Sequence, residues 1–241
     1  MKKRNLFRTI IHFAVLALAF FILTACAAKI KTADLRSVTQ NISPDTRQIL
    51  LVADDGFSSF APRKVYALEK TSSTWRQAMT PFDAVVGKNG FAPQGEKREG
   101  DGRTPSGVYR LETAFGYNEC IDTKMPYRQA LTDDLWVDDP DAPDYNRWVK
   151  QHKTRAASHE KMRRDDDLYK YGIIIEYNTD PVIKGRGSAI FLHIWKGPGS
   201  TTAGCVAASE PDILKILSWL DPAASPVIVI NPEPLEKEIH E

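Results

Sequence analysis

Cysteine is scarce in this chain: three in 241 residues, too few for a disulfide framework. Long apolar runs are missing too. The longest, Ile10 to Leu23, falls short of the roughly 20 residues a membrane-spanning helix needs, and His12 interrupts it. Neither sign of charge prevails, with 32 lysines and arginines against 31 aspartates and glutamates. No basic stripe marks a nucleic-acid surface, so nucleic acid is excluded as a partner. The glycine-rich stretch "GKNGFAPQGEKREGDGRTPSG" has neither phosphate-loop nor dinucleotide-binding spacing and reads as a flexible loop near a cleft. A calcium loop starting at Asp139 would need glycine at its sixth place and glutamate at its twelfth; Asp144 and Lys150 stand there. Acidic stretches such as "RRDDDLY" therefore read as solvated surface. No metal-ligand spacing, internal repeat or low-complexity segment is present, and no metal or cofactor is expected.

The amino terminus has the build of an export signal. Lys2, Lys3, Arg4 and Arg8 precede the apolar run, which stops at Leu23-Thr24-Ala25-Cys26. Small residues directly before a cysteine resemble the lipobox of bacterial lipoproteins, in which the cysteine is diacylated and the preceding peptide removed. The reading is a signal peptide over 1–25, a polar tether over 26–46 carrying the lipid on Cys26, a folded domain over 47–231 and a tail over 232–241. It places the protein in the cell envelope, held to the membrane by its lipid. In a Gram-negative cell, the lack of aspartate at Ala27 favours the periplasmic face of the outer membrane. Loss of residues 1–25 would remove four basic and no acidic side chains, leaving acids slightly in excess. The remaining length, about 215 residues, suits one domain. A monomer is expected.

Within that domain, short runs rich in Val, Ile, Tyr and Phe, punctuated by Gly, Pro, Asn and Asp, predict strands. They cover 48–53, 63–69, 81–86, 107–112, 172–177, 188–194 and 226–230. "VYALEKTSSTWRQAM" has the form of a hairpin turning between Thr71 and Thr74. Ser209-Glu210-Pro211-Asp212 resembles a capping box, and Ile213, Leu214, Ile216, Leu217 and Leu220 follow at helical spacing until Asp221-Pro222 ends the run. "WVDDPDAPDYNRWV" suggests a loop packed over the core, and the charged "SHEKMRRDDDLYK" predicts helix plus loop. The fold class is mainly β, a sandwich or barrel with one helix near the carboxyl end and a charged helical or loop insertion in the middle.

Cys205 raises the chemical question. A thiol attacks only as thiolate, and free cysteine is mostly protonated at neutral pH, so a nucleophilic cysteine needs a base or a positive field nearby. Among five histidines, His193 is the candidate, because it closes the apolar run "SAIFLHIW" and is linked to Cys205 by the loop "KGPGSTTAG". A strand end and a helix approach can bring imidazole and thiol together, as a cysteine–histidine nucleophile requires. Gly204, lacking Cβ, could let a carbonyl approach amides at 204 and 205 that form an oxyanion hole. The alternative leaves Cys205 a small buried residue and His193 a hydrogen-bonded strand-end histidine. Trp195 suits a cleft wall or the core equally. Cys120 reads as a buried thiol.

"FLHIWKGPGSTTAGCV", with "GDGRTPSGVYRL" upstream, resembles the L,D-transpeptidase (YkuD-like) catalytic domain. That family carries a histidine, then Ser/Thr-x-Gly-Cys-aliphatic, and earlier a Thr-Pro-x-Gly-aromatic turn. Here they are His193, then Thr202-Ala203-Gly204-Cys205-Val206, and Thr104-Pro105-Ser106-Gly107 ahead of Tyr109. The resemblance covers roughly residues 47–231 and implies a β-sandwich or barrel. It makes Cys205 the nucleophile, His193 the base and the amides of Gly204 and Cys205 the oxyanion hole, with Thr202 lining the site; Ser200 and Trp195 are further candidates for binding substrate. It implies peptidoglycan stem peptides as substrates: the thiol attacks the carbonyl of the diamino acid at position three and expels D-alanine. A second stem's amine, another amine, or water then resolves the thioester. In that setting Asp165 to Asp167 could attract an acceptor amine.

The sequence departs from the family where Ile194 follows the histidine, where Ala203 precedes the glycine and where Ala207 stands two after the cysteine. These positions shape recognition and leave the reacting groups intact. The expected activity is acyl transfer with a cysteine nucleophile. The alternatives are a carboxypeptidase or amide hydrolase using the same pair, and a lipoprotein that binds wall peptides without turning them over. Papain-like wall endopeptidases place cysteine before histidine, the reverse of the order here.

Overall fold

The computed structural model describes residues 38–39, 42–53 and 63–231. The readings placed on 1–25, on Cys26 and most of the tether, and on the tail after 231 lie outside the described residues. Along the chain run β1 (Gln48–Ala53), β2 (Arg63–Thr71), β3 (Thr74–Gln77), β4 (Phe82–Val85), β5 (Phe91–Ala92), β6 (Thr104–Pro105), β7 (Gly107–Gly116) and β8 (Tyr127–Gln129). There follow β9 (Asp134–Val137), β10 (Trp148–Lys150), β11 (His159–Lys161), β12 (Tyr171–Ile175), β13 (Phe191–Ile194), β14 (Val206–Ala208), α1 (Glu210–Trp219) and β15 (Val227–Ile230). The fold is mainly β and barrel-like, as the strand pattern predicts.

The main sheet runs β1-β15-β7-β12-β13-β14-β4-β2, and β2 pairs back onto β1 to close it. Closure satisfies edges that an open sheet would leave bare, and at about eight strands the lumen is just filled by side chains. Leu50, Val65, Ala67, Leu111, Ile173, Leu192, Val206 and Ile228 form that filling. The predicted hairpin is β2–β3, with Thr71 opposite Thr74 and Ser72 at φ 56° in the turn. The serine-capped helix is α1: Ser209 Oγ accepts the Asp212 amide at 3.3 Å and donates to its carboxylate at 2.6 Å. Ile213, Ile216 and Leu217 join the interior cluster, so the helix is held by its apolar face.

A strand has two faces, and the outward one matters here. On β13, Leu192 and Ile194 belong to the interior cluster, while Phe191 joins an outer cluster with Phe115, Ile174 and Cys205. The insertion roofs that outer face. Its small sheet, β10-β9-β11, brings down Trp136 and, just past β11, Met162; the 3-10 helix Asp167–Tyr169 adds Tyr169, with Trp148 beside them. Edge-on ring contacts knit it together: Trp136 to Phe191 at 4.9 Å, Phe115 to Phe191 at 5.4 Å and Tyr169 to Phe191 at 5.6 Å between centroids. Pairs of this kind add about 0.5–1.5 kcal/mol each beyond the area they bury.

The segment predicted as helix plus loop, residues 158–170, is built from strand β11, loops and one single-turn 3-10 helix, Asp167–Tyr169. The alternation explains it. His159 and Lys161 are exposed, Glu160 turns inward and Met162 is fully buried, a period of two that charge composition hides. "WVDDPDAPDYNRWV" joins β9 to β10, with Tyr145 and Asn146 buried beneath it.

Trp136→Ala removes the ring that ties roof to sheet. It is expected to cost about 3–5 kcal/mol in denaturant unfolding and to speed alkylation of Cys205 by a small reagent under native conditions.

Candidate active site

Beside β13, β14 runs parallel, with His193 opposite Ala207 and Leu192 opposite Val206. Cys205, one residue before β14, therefore shares the outer face with His193 and sits two places back along the neighbouring strand. Ladder spacing puts their backbones about 8 Å apart, a gap that an imidazole and a thiol leaning towards each other can bridge. Both line one cleft of about 290 Å³. Tyr169, Glu160 and Arg164 of the insertion form one side, and Trp195, Ser200 and Thr202 the other. His193 is 7% exposed and Cys205 6%.

The thiol is held on two sides. Sγ donates to the Ala189 carbonyl at 3.2 Å and accepts from the Phe191 amide at 3.4 Å. Ala189 is itself at φ 53°, a left-handed conformation that costs a residue with Cβ about 1–2 kcal/mol. Asn146 of the insertion holds it there: its Oδ1 accepts from the Ala189 amide at 3.1 Å and from Trp136 Nε1 at 2.8 Å. Asn146 Nδ2 donates to the carbonyls of Tyr177 and Asn178. One buried amide thus connects roof, strained alanine and sulfur.

The imidazole has its own support. Nδ1 lies 2.8 Å from the Ile194 carbonyl, so it carries the proton and leaves Nε2 as the basic nitrogen. Tyr169 packs edge-on against the ring at 5.0 Å. Burial lowers the His193 pKa to about 4, against the pull of its backbone hydrogen bonds. Burial, reinforced by the nearby Glu160 acid, pushes the Cys205 thiol up to about 12. At neutral pH the resting pair is neutral imidazole and neutral thiol. No hydrogen bond joins the two side chains among the described residues.

The backbone around Cys205 is fixed by two threonines from the two motifs. Thr202 Oγ1 donates to the Cys205 carbonyl at 2.7 Å, and Thr104 Oγ1 donates to the same oxygen at 3.3 Å. Thr104 also accepts the Gly87 amide at 2.8 Å and is fully buried. Thr202 Oγ1 accepts the Gly204 amide at 3.1 Å, which removes that amide from the pair expected to face an oxyanion. Among the described residues no protein acceptor takes the Cys205 amide. Gly204 is required for a different reason from the one its sequence position suggests. A Cβ there would lie 3.0 Å from the Arg103 carbonyl and 3.2 Å from Ile190 Cδ1, so it is wedged against the upstream loop.

That loop is not slack. Lys97, 3% exposed, donates to Asp101 at 2.6 Å and to the Arg98 carbonyl at 2.8 Å, while Asn89 reaches the Asp101 carbonyl at 2.8 Å. Of the other residues singled out in the sequence, Ser200 is committed to the Gly197 carbonyl at 2.7 Å, and Trp195 is a half-buried wall. Cys120 is exposed rather than buried, and both it and Cys205 are free thiols. Asp166 is paired with Arg164 through two bonds of 2.9 and 3.0 Å. Sequence reasoning passed over Glu160, Arg164 and Tyr169. Only the alternation across 159–162 could have pointed to the first, and nothing local marks the others. Among the described residues no cluster of His, Cys, Asp or Glu is arranged to hold a metal.

Cys205, just before β14, and His193 on β13 thus share one face of a closed β-barrel, with a threonine from each motif converging on the cysteine carbonyl. Residues 61–229 match the family model of the L,D-transpeptidase catalytic domain, YkuD, and the chain belongs to that family. Comparisons with curated proteins and with solved structures found no significant match.

The His193 shift has a sign that can be checked. Its pKa is about 4 folded and about 6.5 unfolded, so between those values the unfolded chain binds more protons. This contribution to stability is full above pH 6.5 and is lost as pH falls towards 4. Relative to a His193→Gln variant, the wild type is expected to lose stability over that window in urea unfolding. A constant difference between pH 7 and 4 contradicts the burial of a neutral ring.

Proposed function

We propose that this protein catalyses cysteine-dependent acyl transfer on peptidoglycan stem peptides, an L,D-transpeptidation that releases D-alanine. The observation that carries this reading is the placement of Cys205 and His193 on one face of adjacent parallel strands, lining one cleft, in a chain of the L,D-transpeptidase family.

The neutral resting pair favours a general-base route over a preformed thiolate. The donor carbonyl enters the cleft, Sγ leaves the Ala189 carbonyl by a side-chain rotation and turns towards the imidazole, and its proton passes to Nε2 as sulfur attacks. The Cys205 amide is the free donor for the developing oxyanion. One such donor removed costs about 2.7–4 kcal/mol of transition-state stabilisation. The proton on His193 then goes to the departing D-alanine amine, leaving a thioester on Cys205. Thr104 and Thr202 fix the Cys205 carbonyl and so steady the backbone that carries the thiol. Thr202 and Ser200 act as braces of this loop, and Trp195 as the wall that excludes water.

Lipid attachment at Cys26 would hold this chemistry at the envelope membrane, within reach of the wall. Metabolic labelling with palmitate is expected to mark the wild type, and Cys26→Ser to lose the label.

Release of D-alanine from a synthetic tetrapeptide tests the reaction. Cys205→Ala is expected to abolish it and His193→Ala to reduce it about 10²–10⁴-fold, the range for losing a general base. With His193 neutral down to about pH 4, kcat/KM should hold through pH 6 and fall only in more acid solution. Wild-type D-alanine release that persists in Cys205→Ala would overturn the assignment.

A further inference from the structure

Acyl transfer needs two substrates, and the thiol cleft is small. Its volume of about 290 Å³ lies at the lower limit of small-ligand pockets, about 300–1,000 Å³, enough for the reacting end of one stem peptide. A second cavity of about 540 Å³ adjoins it on the insertion side and shares two residues with it, Glu160 and Arg164. The remaining walls are His159, Lys161, Asp165 and Asp166.

The two shared residues differ in how they are committed. Arg164 is already neutralised by the bidentate pair with Asp166 and lies over the Tyr169 ring at 5.0 Å. Glu160 belongs to no ion pair among the described residues. Its side chain takes one hydrogen bond, from the Tyr169 hydroxyl, and that tyrosine is the one packed on His193. Glu160 lines the same cleft as Cys205, and burial raises its carboxyl above the usual carboxylate range, which makes it a better proton acceptor. The carboxyl is thus aimed by a rigid aromatic, lines both cavities, and has as its neighbouring cation only an arginine already paired with Asp166. The two cavities meet at it.

We propose that the second cavity admits the acceptor substrate and that Glu160, at its junction with the thiol cleft, binds the ammonium of a primary-amine acceptor. This rests on the acyl-transfer reading above. The acceptor ammonium gives one proton to the Glu160 carboxylate, and the resulting amine attacks the thioester carbonyl of acyl-Cys205. A C–N bond forms and the C–S bond breaks. The proton shed by the attacking nitrogen passes through His193 to the departing sulfur, restoring the thiol, and the proton on Glu160 returns to solvent through the second cavity. Asp166, which the sequence offered for this task along with its neighbours, is occupied by Arg164.

The test separates the two half-reactions in the purified full-length protein, with a tetrapeptide donor and either a second tetrapeptide or glycinamide as acceptor. Free D-alanine reports acylation, and mass spectrometry of the amide product reports transfer. Glu160→Gln is expected to raise the acceptor KM at least tenfold, with hydrolysis gaining at the expense of transfer, while donor KM shifts less than threefold. Glu160→Asp should recover part of the loss. Lys161→Glu, an exposed change at the second cavity, should lower the acceptor KM. Equal loss of acylation and transfer in Glu160→Gln, or an acceptor KM unmoved in both Glu160→Gln and Lys161→Glu, overturns the proposal. Wild-type protein that releases no D-alanine overturns the acyl-transfer reading itself, and this inference with it.

Discussion

The parallel alignment of β13 with β14 is the constraint on which the site depends. A strand shows alternate residues to opposite faces, so slipping either strand by one residue would send His193 or Cys205 into the lumen and an aliphatic side chain into the cleft. The interior residues Leu192, Ile194, Val206 and Ala208 prevent the slip, because each would lose its buried place. Filling the barrel therefore does two jobs. It stabilises the domain, and it sets the register that aims His193 and Cys205 outward. The threonine contacts on the Cys205 carbonyl then fix the one backbone unit that the register leaves free to turn.

The electrostatic character of the site follows from the same arrangement. An outer sheet face would ordinarily be wet, but the aromatic roof keeps both His193 and Cys205 more than nine-tenths buried. Burial penalises charge on either member, so the pair rests uncharged, unlike cysteine–histidine pairs in which a wet or positive environment stabilises a thiolate. Such a thiol is protected from adventitious oxidation, since oxidants also prefer the thiolate.

Much of the barrel was legible because its strands are continuous runs of Val, Ile, Leu and Phe between turn residues. α1 was legible because Ser209 and the spacing of Ile213, Ile216 and Leu217 agree. The positions of His193 and Cys205 were legible as a strand end and the start of a following element. The insertion was not. Its strands are three or four residues long, and their inward positions are held by Trp136, Glu160 and Met162, a set with no shared hydropathy. Gly204 was recognised for a reason the structure replaces: its lack of Cβ serves packing against Arg103, a contact across some hundred residues that no local pattern encodes. The Gly204 amide was misassigned for the same cause, since the Thr202 hydroxyl that takes it is visible only in three dimensions.

Ala189 gives the insertion a significance beyond shelter. Asn146 grips the amide of a residue with Cβ at φ 53°, and that residue's carbonyl in turn accepts a hydrogen bond from the Cys205 thiol. The roof is consequently part of what seats the Cys205 thiol, not an ornament added to a finished barrel. Lineages could vary its exposed charges freely, but trimming it away would let the alanine relax and the sulfur lose its seat. A shortened relative would have to reinvent that support elsewhere before the thiol could again wait in one place.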